Sequence, residues 1–124
     1  MELNRLFKGA QLLPNLPSPT LPMYALNTDG IDPQGSNILM ERLNITSYDD
    51  AIAIKAIVAG TKEISNCTEN VMIRDINVYW STGLTIGSVI PHDGQGACIR
   101  NVTFKDSKVY HPFKGIYIKN DPNV

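Results

Sequence analysis

The chain is poor in metal-binding side chains: its 124 residues include two cysteines and two histidines, each isolated from the others in sequence. That excludes a metal site of Cys/His type, and no metal or other cofactor is expected. A strong charge imbalance is also missing. With a formal net charge of -1 at pH 7 the chain suggests neither nucleic acid nor an anionic membrane surface as a partner. No apolar run is long enough to span a bilayer, and MELNRLFKGAQLL lacks the charged start, long apolar centre and small-residue cleavage site of a secretory signal. No stretch carries a sustained helical period, which excludes ankyrin and tetratricopeptide arrays, and the Leu and Asn spacing of a leucine-rich repeat is absent. At this length, with 43% hydrophobic residues, the chain is one domain or a piece of one.

What the sequence does contain is a repeat. Asn4, Asn37, Asn70 and Asn101 each open a nine-residue block, NRLFKGAQL, NILMERLNI, NVMIRDINV and NVTFKDSKV, at spacings of 33, 33 and 31 residues. Apolar positions recur in register through the blocks: Phe7, Met40, Ile73 and Phe104; Ala10, Leu43, Ile76 and Ser107; Leu12, Ile45, Val78 and Val109. The runs are short, alternating and rich in β-branched residues, so they read as strands that stack into interior ladders. A second set, Ile52/Ile54, Leu84/Ile86 and Ile116/Ile118, recurs every 32 residues. A coil of this length made of short strands, paired in parallel with its copies at about 4.8 Å, is the unit of a parallel β-helix. About four coils are expected, as an all-β partial domain spanning residues 1–124 and forming the central part of a longer solenoid, because solenoids need capped ends.

Cys67 and Cys98 each stand three residues before a block asparagine, so they should be neighbours on successive coils, with Cα atoms about 5 Å apart. A buried pair of free thiols is the reading preferred here, with a disulfide as the alternative. Three sequons, at Asn44, Asn66 and Asn101, suit a secreted glycoprotein, although Asn44 and Asn101 lie within the blocks and packing or turn capping would explain them equally. Excursions are expected at the proline-rich residues 13–26, at 56–66 and at 90–97, and loops leaving a solenoid commonly line its binding face.

The chemistry is in the carboxylates. Asn27-Thr28-Asp29-Gly30-Ile31-Asp32 precedes the second coil, and Tyr48-Asp49-Asp50-Ala51-Ile52-Ala53-Ile54-Lys55 follows one short coil later. If Ile31 stacks on Ile52, Asp29 lies close to Asp50. Carboxylates a few ångström apart resist joint ionisation, so one holds a proton beside an ionised neighbour. Hydrolysis of a glycosidic bond needs that division of labour. Taken singly, Asn-Thr-Asp-Gly reads as a turn and Asp49-Asp50 as a solvated one; their occurrence together, one coil apart, favours a site.

From about Asn27 to Lys119 these motifs resemble the polygalacturonases, glycoside hydrolase family 28, whose pattern is N-T-D, then D-D with an alternating strand, then G-H-G, then R-I-K. The resemblance implies a right-handed parallel β-helix and metal-free hydrolysis of α-1,4-linked galacturonan in pectin, with inversion. It assigns Asp49 as general acid and Asp29 and Asp50 to activation of water; Asn27, Lys55, Thr82, Tyr117 and Lys119 are the candidate substrate contacts beside them. Carboxyl groups about 6.5 to 9.5 Å apart would be expected of such an inverting site. It also implies an extracellular, cell-wall-directed protein, a monomer acting on pectic polysaccharide.

The chain departs from the pattern twice. Ser81-Thr82-Gly83 stands where G-H-G should, and Tyr117-Ile118-Lys119 where R-I-K should. Thr82 and Tyr117 carry no positive charge, so they are not expected to orient the acid or to clamp a uronate. His92 and His111 could supply an imidazole but lie off the motif. Three classes follow: a pectin-directed hydrolase, a non-catalytic carbohydrate-binding β-helix or inactive fragment, and a polysaccharide lyase. The lyase would want acidic calcium ligands and a basic proton abstractor, which this pattern does not offer.

Overall fold

In the computed structural model of the chain, residues 2–3, 27–57, 67–89 and 97–120 are described, and they contain strands and no helix. In chain order the strands are β1 (Glu2–Leu3), β2 (Ser36–Thr46), β3 (Asp50–Ile54), β4 (Cys67–Tyr79), β5 (Gly83–Val89), β6 (Cys98–Tyr110) and β7 (Ile116–Asn120). They form two parallel sheets, ordered β1-β2-β4-β6 and β3-β5-β7. From β2 onward the chain visits the sheets alternately, laying each strand on its predecessor one turn earlier. This all-β arrangement is consistent with the coils of a parallel β-helix. No helix long and apolar enough to cross a membrane occurs among the described residues.

The repeat sets the register. Met40 pairs with Ile73 and Ile73 with Phe104, Leu43 with Ile76 and Ile76 with Ser107, and Ile45 with Val78 and Val78 with Val109. In the second sheet Ile54, Ile86 and Ile118 are successive partners, as are Ile52, Leu84 and Ile116. Side chains from both sheets meet in one core, with Ile45, Ile52, Ile54, Ile73, Ile76, Val78 and Leu84 almost wholly shielded from water. Such burial contributes on the order of 1.5–3 kcal/mol per large aliphatic side chain.

Asparagine opens each block for a conformational reason. Asn37, Asn70 and Asn101 have φ of 58°, 54° and 51°, the left-handed region that asparagine tolerates better than most residues. Their amides form a ladder, Asn70 Nδ2 donating to Asn37 Oδ1 at 3.2 Å and Asn101 Nδ2 to Asn70 Oδ1 at 2.7 Å. Asn44 lies in a second ladder and accepts from Asn77 Nδ2 at 3.0 Å. Asn44 and Asn101 are therefore both structural, which leaves their sequons unassigned; Asn66 lies outside the described residues.

Two expectations need correction. The first block was aligned to place Leu12 over Ile45, but the residue paired with Ile45 is Leu3, and Glu2 pairs with Asn44. Positions 3 and 12 are both leucine in the sequence, so alternation could not choose between registers nine residues apart. Asn4, Phe7, Ala10 and Leu12 lie outside the described residues, as do residues 13–26, most of 56–66, most of 90–97, and His92. The second correction concerns the thiols: Cys67 and Cys98 form a disulfide, with Cα atoms 4.6 Å apart. Aligned pairing of β4 and β6 at these residues brings the backbones within the range a disulfide accepts.

Candidate active site

The site forms where three turns stack. Ile31 bridges to Ile52, and Gly30 N donates to Asp50 O at 2.8 Å, so the Asn27–Asp32 turn lies directly against the start of β3. A Cβ at position 30 would sit 2.4 Å from Ala51 O, which explains the glycine beside Asp29. On the other side Thr82 N donates to Asp49 O at 2.9 Å, and Lys114 N to Thr82 O at 2.8 Å. The turns before β3, β5 and β7 are thereby held one above another.

This stacking gathers the three aspartates: one carboxylate oxygen from each of Asp29, Asp49 and Asp50 lies within 4.8 Å of the others. The separation is shorter than the spacing expected above, because the turns approach at backbone hydrogen-bond distance. Asp29 and Asp49 are half-buried. Asp49 is fixed by backbone donors, accepting from Asn27 N at 2.6 Å on Oδ2 and from Asp50 N at 2.9 Å on Oδ1.

Asp50 shares the strand parity of Ile52 and can reach the cleft only if the chain turns between the two; its side chain is fully buried. Simple alternation would turn it inward with Ile52, among apolar side chains. The pairing of β3 with β5 shifts between Asp50 and Ile52, where Asp50 partners Gly83 and Ile52 partners Leu84, leaving Ala51 as the extra residue of a bulge. A bulge re-aims the side chain beside it. Asp50 thus joins the face of Thr85 and Tyr117, which are themselves partners across β5 and β7. Its Oδ1 accepts from Thr82 Oγ1 at 2.6 Å, from Thr85 Oγ1 at 2.8 Å and from the Tyr117 hydroxyl, and its Oδ2 accepts from Lys119 Nζ.

These surroundings drive the carboxyls apart. For Asp29, burial is the largest influence, followed by the charges of Asp49, Asp32 and Asp50, with Lys55 opposing; the result is a pKa pushed up to about 6. For Asp50, burial alone would also raise the pKa, but the bonds from Lys119, Thr82, Tyr117 and Thr85 outweigh it and hold the carboxyl below its usual range. Lys119 is desolvated as well, yet its bond to Asp50 keeps the ammonium pKa raised. A proton-holding carboxyl therefore stands beside a firmly ionised one.

Of the other residues singled out from sequence, Asn27 touches the centre through its backbone N–H, and Lys55 Nζ lies 4.0 Å from Asp32 Oδ2. Thr82 and Tyr117, not expected to orient the acid or to clamp a uronate, both point their hydroxyls at Asp50; a buried anion needs donors, and a neutral hydroxyl serves. His111 takes no part, its ring stacking on Trp80 at 4.7 Å. Sequence reasoning missed Thr85 and Asp32. Thr85 was legible, since it lies between the inward-facing Leu84 and Ile86 and must face the other way.

Comparison with known proteins agrees with the geometry. The sequence profile of Glycosyl hydrolases family 28 matches residues 18–123. An endo-polygalacturonase of Pectobacterium parmentieri is 38% identical over 104 residues, 83% of this chain and 23% of that protein. Its counterpart in Pectobacterium carotovorum subsp. carotovorum is 37% identical over the same share of each chain. A protein named "Probable exopolygalacturonase X" of Aspergillus fumigatus is 29% identical over 101 residues, 81% of this chain and 21% of the relative. The chain thus spans about a fifth of the length of these relatives, and no solved structure gives a significant match. With most of its length matched and the aspartate motifs gathered in space, the chain belongs to glycosyl hydrolases family 28.

Proposed function

We propose that this chain carries the acid–base centre of a hydrolase that cleaves α-1,4 bonds of polygalacturonan-type pectic chains. The observation that carries the reading is the convergence of Asp29, Asp49 and Asp50 within 4.8 Å, with one carboxyl held up to about 6 and another held ionised. A glycosidic oxygen must be protonated as it leaves while a carboxylate acts on water or on the sugar, and such a pair of environments provides both states at mildly acidic pH. Asp29 and Asp49, the half-buried members, are the ones a substrate reaches. Lys119, Lys55, Asn27, Thr82 and Tyr117 surround them.

The family resemblance favours inversion. Two carboxylate oxygens within 4.8 Å can share one water, which donates two bonds of about 2.8 Å and spans roughly 4.4 Å. The same closeness favours a second reading, a retaining displacement, for which about 5–5.5 Å is usual. Proton NMR of the first-formed reducing sugar separates the two by its anomer.

The chain is read as a partial domain, residues 1–124, of a right-handed parallel β-helix. Ile116, paired with the fully covered Leu84 one turn earlier, is 60% exposed, and Ile118, paired with the partly covered Ile86, is 71% exposed. A monomeric, extracellular enzyme of the plant cell wall fits a polymeric pectic substrate. The test is release of reducing ends from polygalacturonate, with and without a chelator. The chain should release them slowly, the chelator should not matter, and Asp49→Asn should lower the rate at least about a hundredfold, the typical contribution of a general acid or base. Binding of the polymer without release would support the carbohydrate-binding reading instead, chelator sensitivity would point to a lyase, and full activity of Asp49→Asn would remove Asp49 from the mechanism.

A further inference from the structure

Both departures from the family pattern fall on the same atom. Thr82, in place of the histidine, donates to Asp50 Oδ1, and so does Tyr117, in place of the arginine. The two residues come from different elements, a turn and a strand, yet the Tyr117 hydroxyl also lies 3.3 Å from Thr82 Oγ1. Thr85 supplies a third hydroxyl to Oδ1, and Lys119 the ammonium on Oδ2. A carboxylate offers about four lone-pair sites, two on each oxygen; three donors crowd Oδ1 and the ammonium occupies Oδ2. Asp50 has no surface exposed to water. Protonation would remove the negative charge that these donors, the Lys119 ammonium first, stabilise.

We propose that Thr82 and Tyr117 are positioning residues: with Thr85 and Lys119 they hold Asp50 as a fixed buried anion that exchanges no proton with substrate or water, leaving Asp29 and Asp49 as the exchanging pair. This rests on the hydrolase reading above and departs from the role that the family resemblance implies for Asp50. The charged groups facing the cluster are Asp29, Asp32 and Lys55 from the first turn and β3, Asp49 beside it, and Lys119 from β7. Lys114 lies over the Tyr117 ring at 4.5 Å. With two neutral hydroxyls in place of a histidine and an arginine, Lys119 is the only cation bonded to Asp50 among the described residues. Asp50 then acts on Asp29 through its charge, which favours retention of the Asp29 proton.

The test is carboxyl-carbon NMR of the labelled 124-residue chain, titrated from about pH 3 to about pH 8 to cover the carboxylate range. In the wild type the Asp50 carboxyl should titrate well below Asp29. Its midpoint should move up in Tyr117→Phe and in Thr82→Val, each of which removes a hydroxyl while keeping most of the shape, and should stay in place in Thr82→Ser, which keeps the donor. On polygalacturonate, Tyr117→Phe should be about tenfold slower, the loss expected for one hydrogen bond to a charged group. Its acid limb should also steepen from one proton towards two as Asp50 begins to titrate. Asp50 titrating together with Asp29 in the wild type, or unmoved in both hydroxyl-less variants, would overturn the proposal. If the wild type releases no reducing ends, the hydrolase reading fails, and the titration still decides how Asp50 is held.

Discussion

Replacing Asp29 by asparagine should make the protein more stable at neutral pH, by an amount that disappears in acid. The Asp29 carboxyl is raised from 3.8 to about 6 by burial and by the charges of Asp49, Asp32 and Asp50. Between those two values the folded chain keeps a proton that the unfolded chain has released, so stability falls as pH rises through that window and the full penalty is present above about 6. About two units at 1.36 kcal/mol each give roughly 3 kcal/mol without screening. Asp29 is partly in contact with water, and solvent screening reduces this to about 1 kcal/mol. Asparagine keeps the shape and never ionises. Urea melts at low salt should therefore show Asp29→Asn about 1 kcal/mol more stable than wild type at pH 7, or roughly 4 °C higher in Tm for a chain of this size. At about pH 2.5, more than a unit below the unfolded-state value of 3.8, the wild-type carboxyl is protonated in both states and the two should coincide. The difference between the variants isolates this group from the other carboxylates. An Asn variant that is equally or less stable at pH 7, or a gap that does not close in acid, would refute the electrostatic account of the site.

Reduction of the Cys67–Cys98 disulfide, which closes a span of 31 residues, should lower unfolding stability by about 3–4 kcal/mol, read as a drop in urea midpoint with dithiothreitol. An unchanged midpoint would show that the stacked strands alone fix that edge of the sheet. Asn70→Ala should cost about 1–2 kcal/mol, because alanine is strained at the φ of 54° that Asn70 adopts, whereas Asn70→Gly should cost less. Thermal melts of the two variants in parallel check the order, and alanine matching glycine would mean that the left-handed column is not what selects asparagine.

The stacking was legible because a parallel coil imposes the same environment on the same position every turn. Met40, Ile73 and Phe104 differ in shape but all fill one interior rung, so the apolar pattern survived their substitution. The asparagines were legible for a different reason, since few side chains accept a left-handed backbone, and the spacing of that requirement marks the period. The same reasoning failed at the first block. Apolar alternation reports which face a residue takes, not which of two similar leucines lies opposite Ile45. The state of the two cysteines was not legible either: the register sets how far apart they lie, but the pattern of residues says nothing of whether the thiols are joined.

At the site, the sequence identified the three carboxylates and the need for a turn between Asp50 and Ile52, but not the form that turn takes, one extra residue in β3. The bulge at Ala51 leaves every apolar neighbour in place, with Ile52 and Ile54 still inward, yet moves Asp50 to the opposite face. No alternation pattern registers such an insertion, because the strand on either side of it reads normally. What Thr82 and Tyr117 do for Asp50 is a matter of donors rather than of charge. They were weighed by charge, as replacements for an imidazole and a guanidinium, but what a buried carboxylate lacks is hydrogen-bond donors, which hydroxyls supply as well. Exchanging cationic for neutral donors has an electrostatic consequence that the local bonds do not show. Asp50 stays ionised through its four donors, while fewer positive charges remain to offset it. Its field adds to burial and to the charges of Asp49 and Asp32 in raising the Asp29 pKa. The two departures from the family pattern thus shift the protonation balance of the centre while leaving its three aspartates in place.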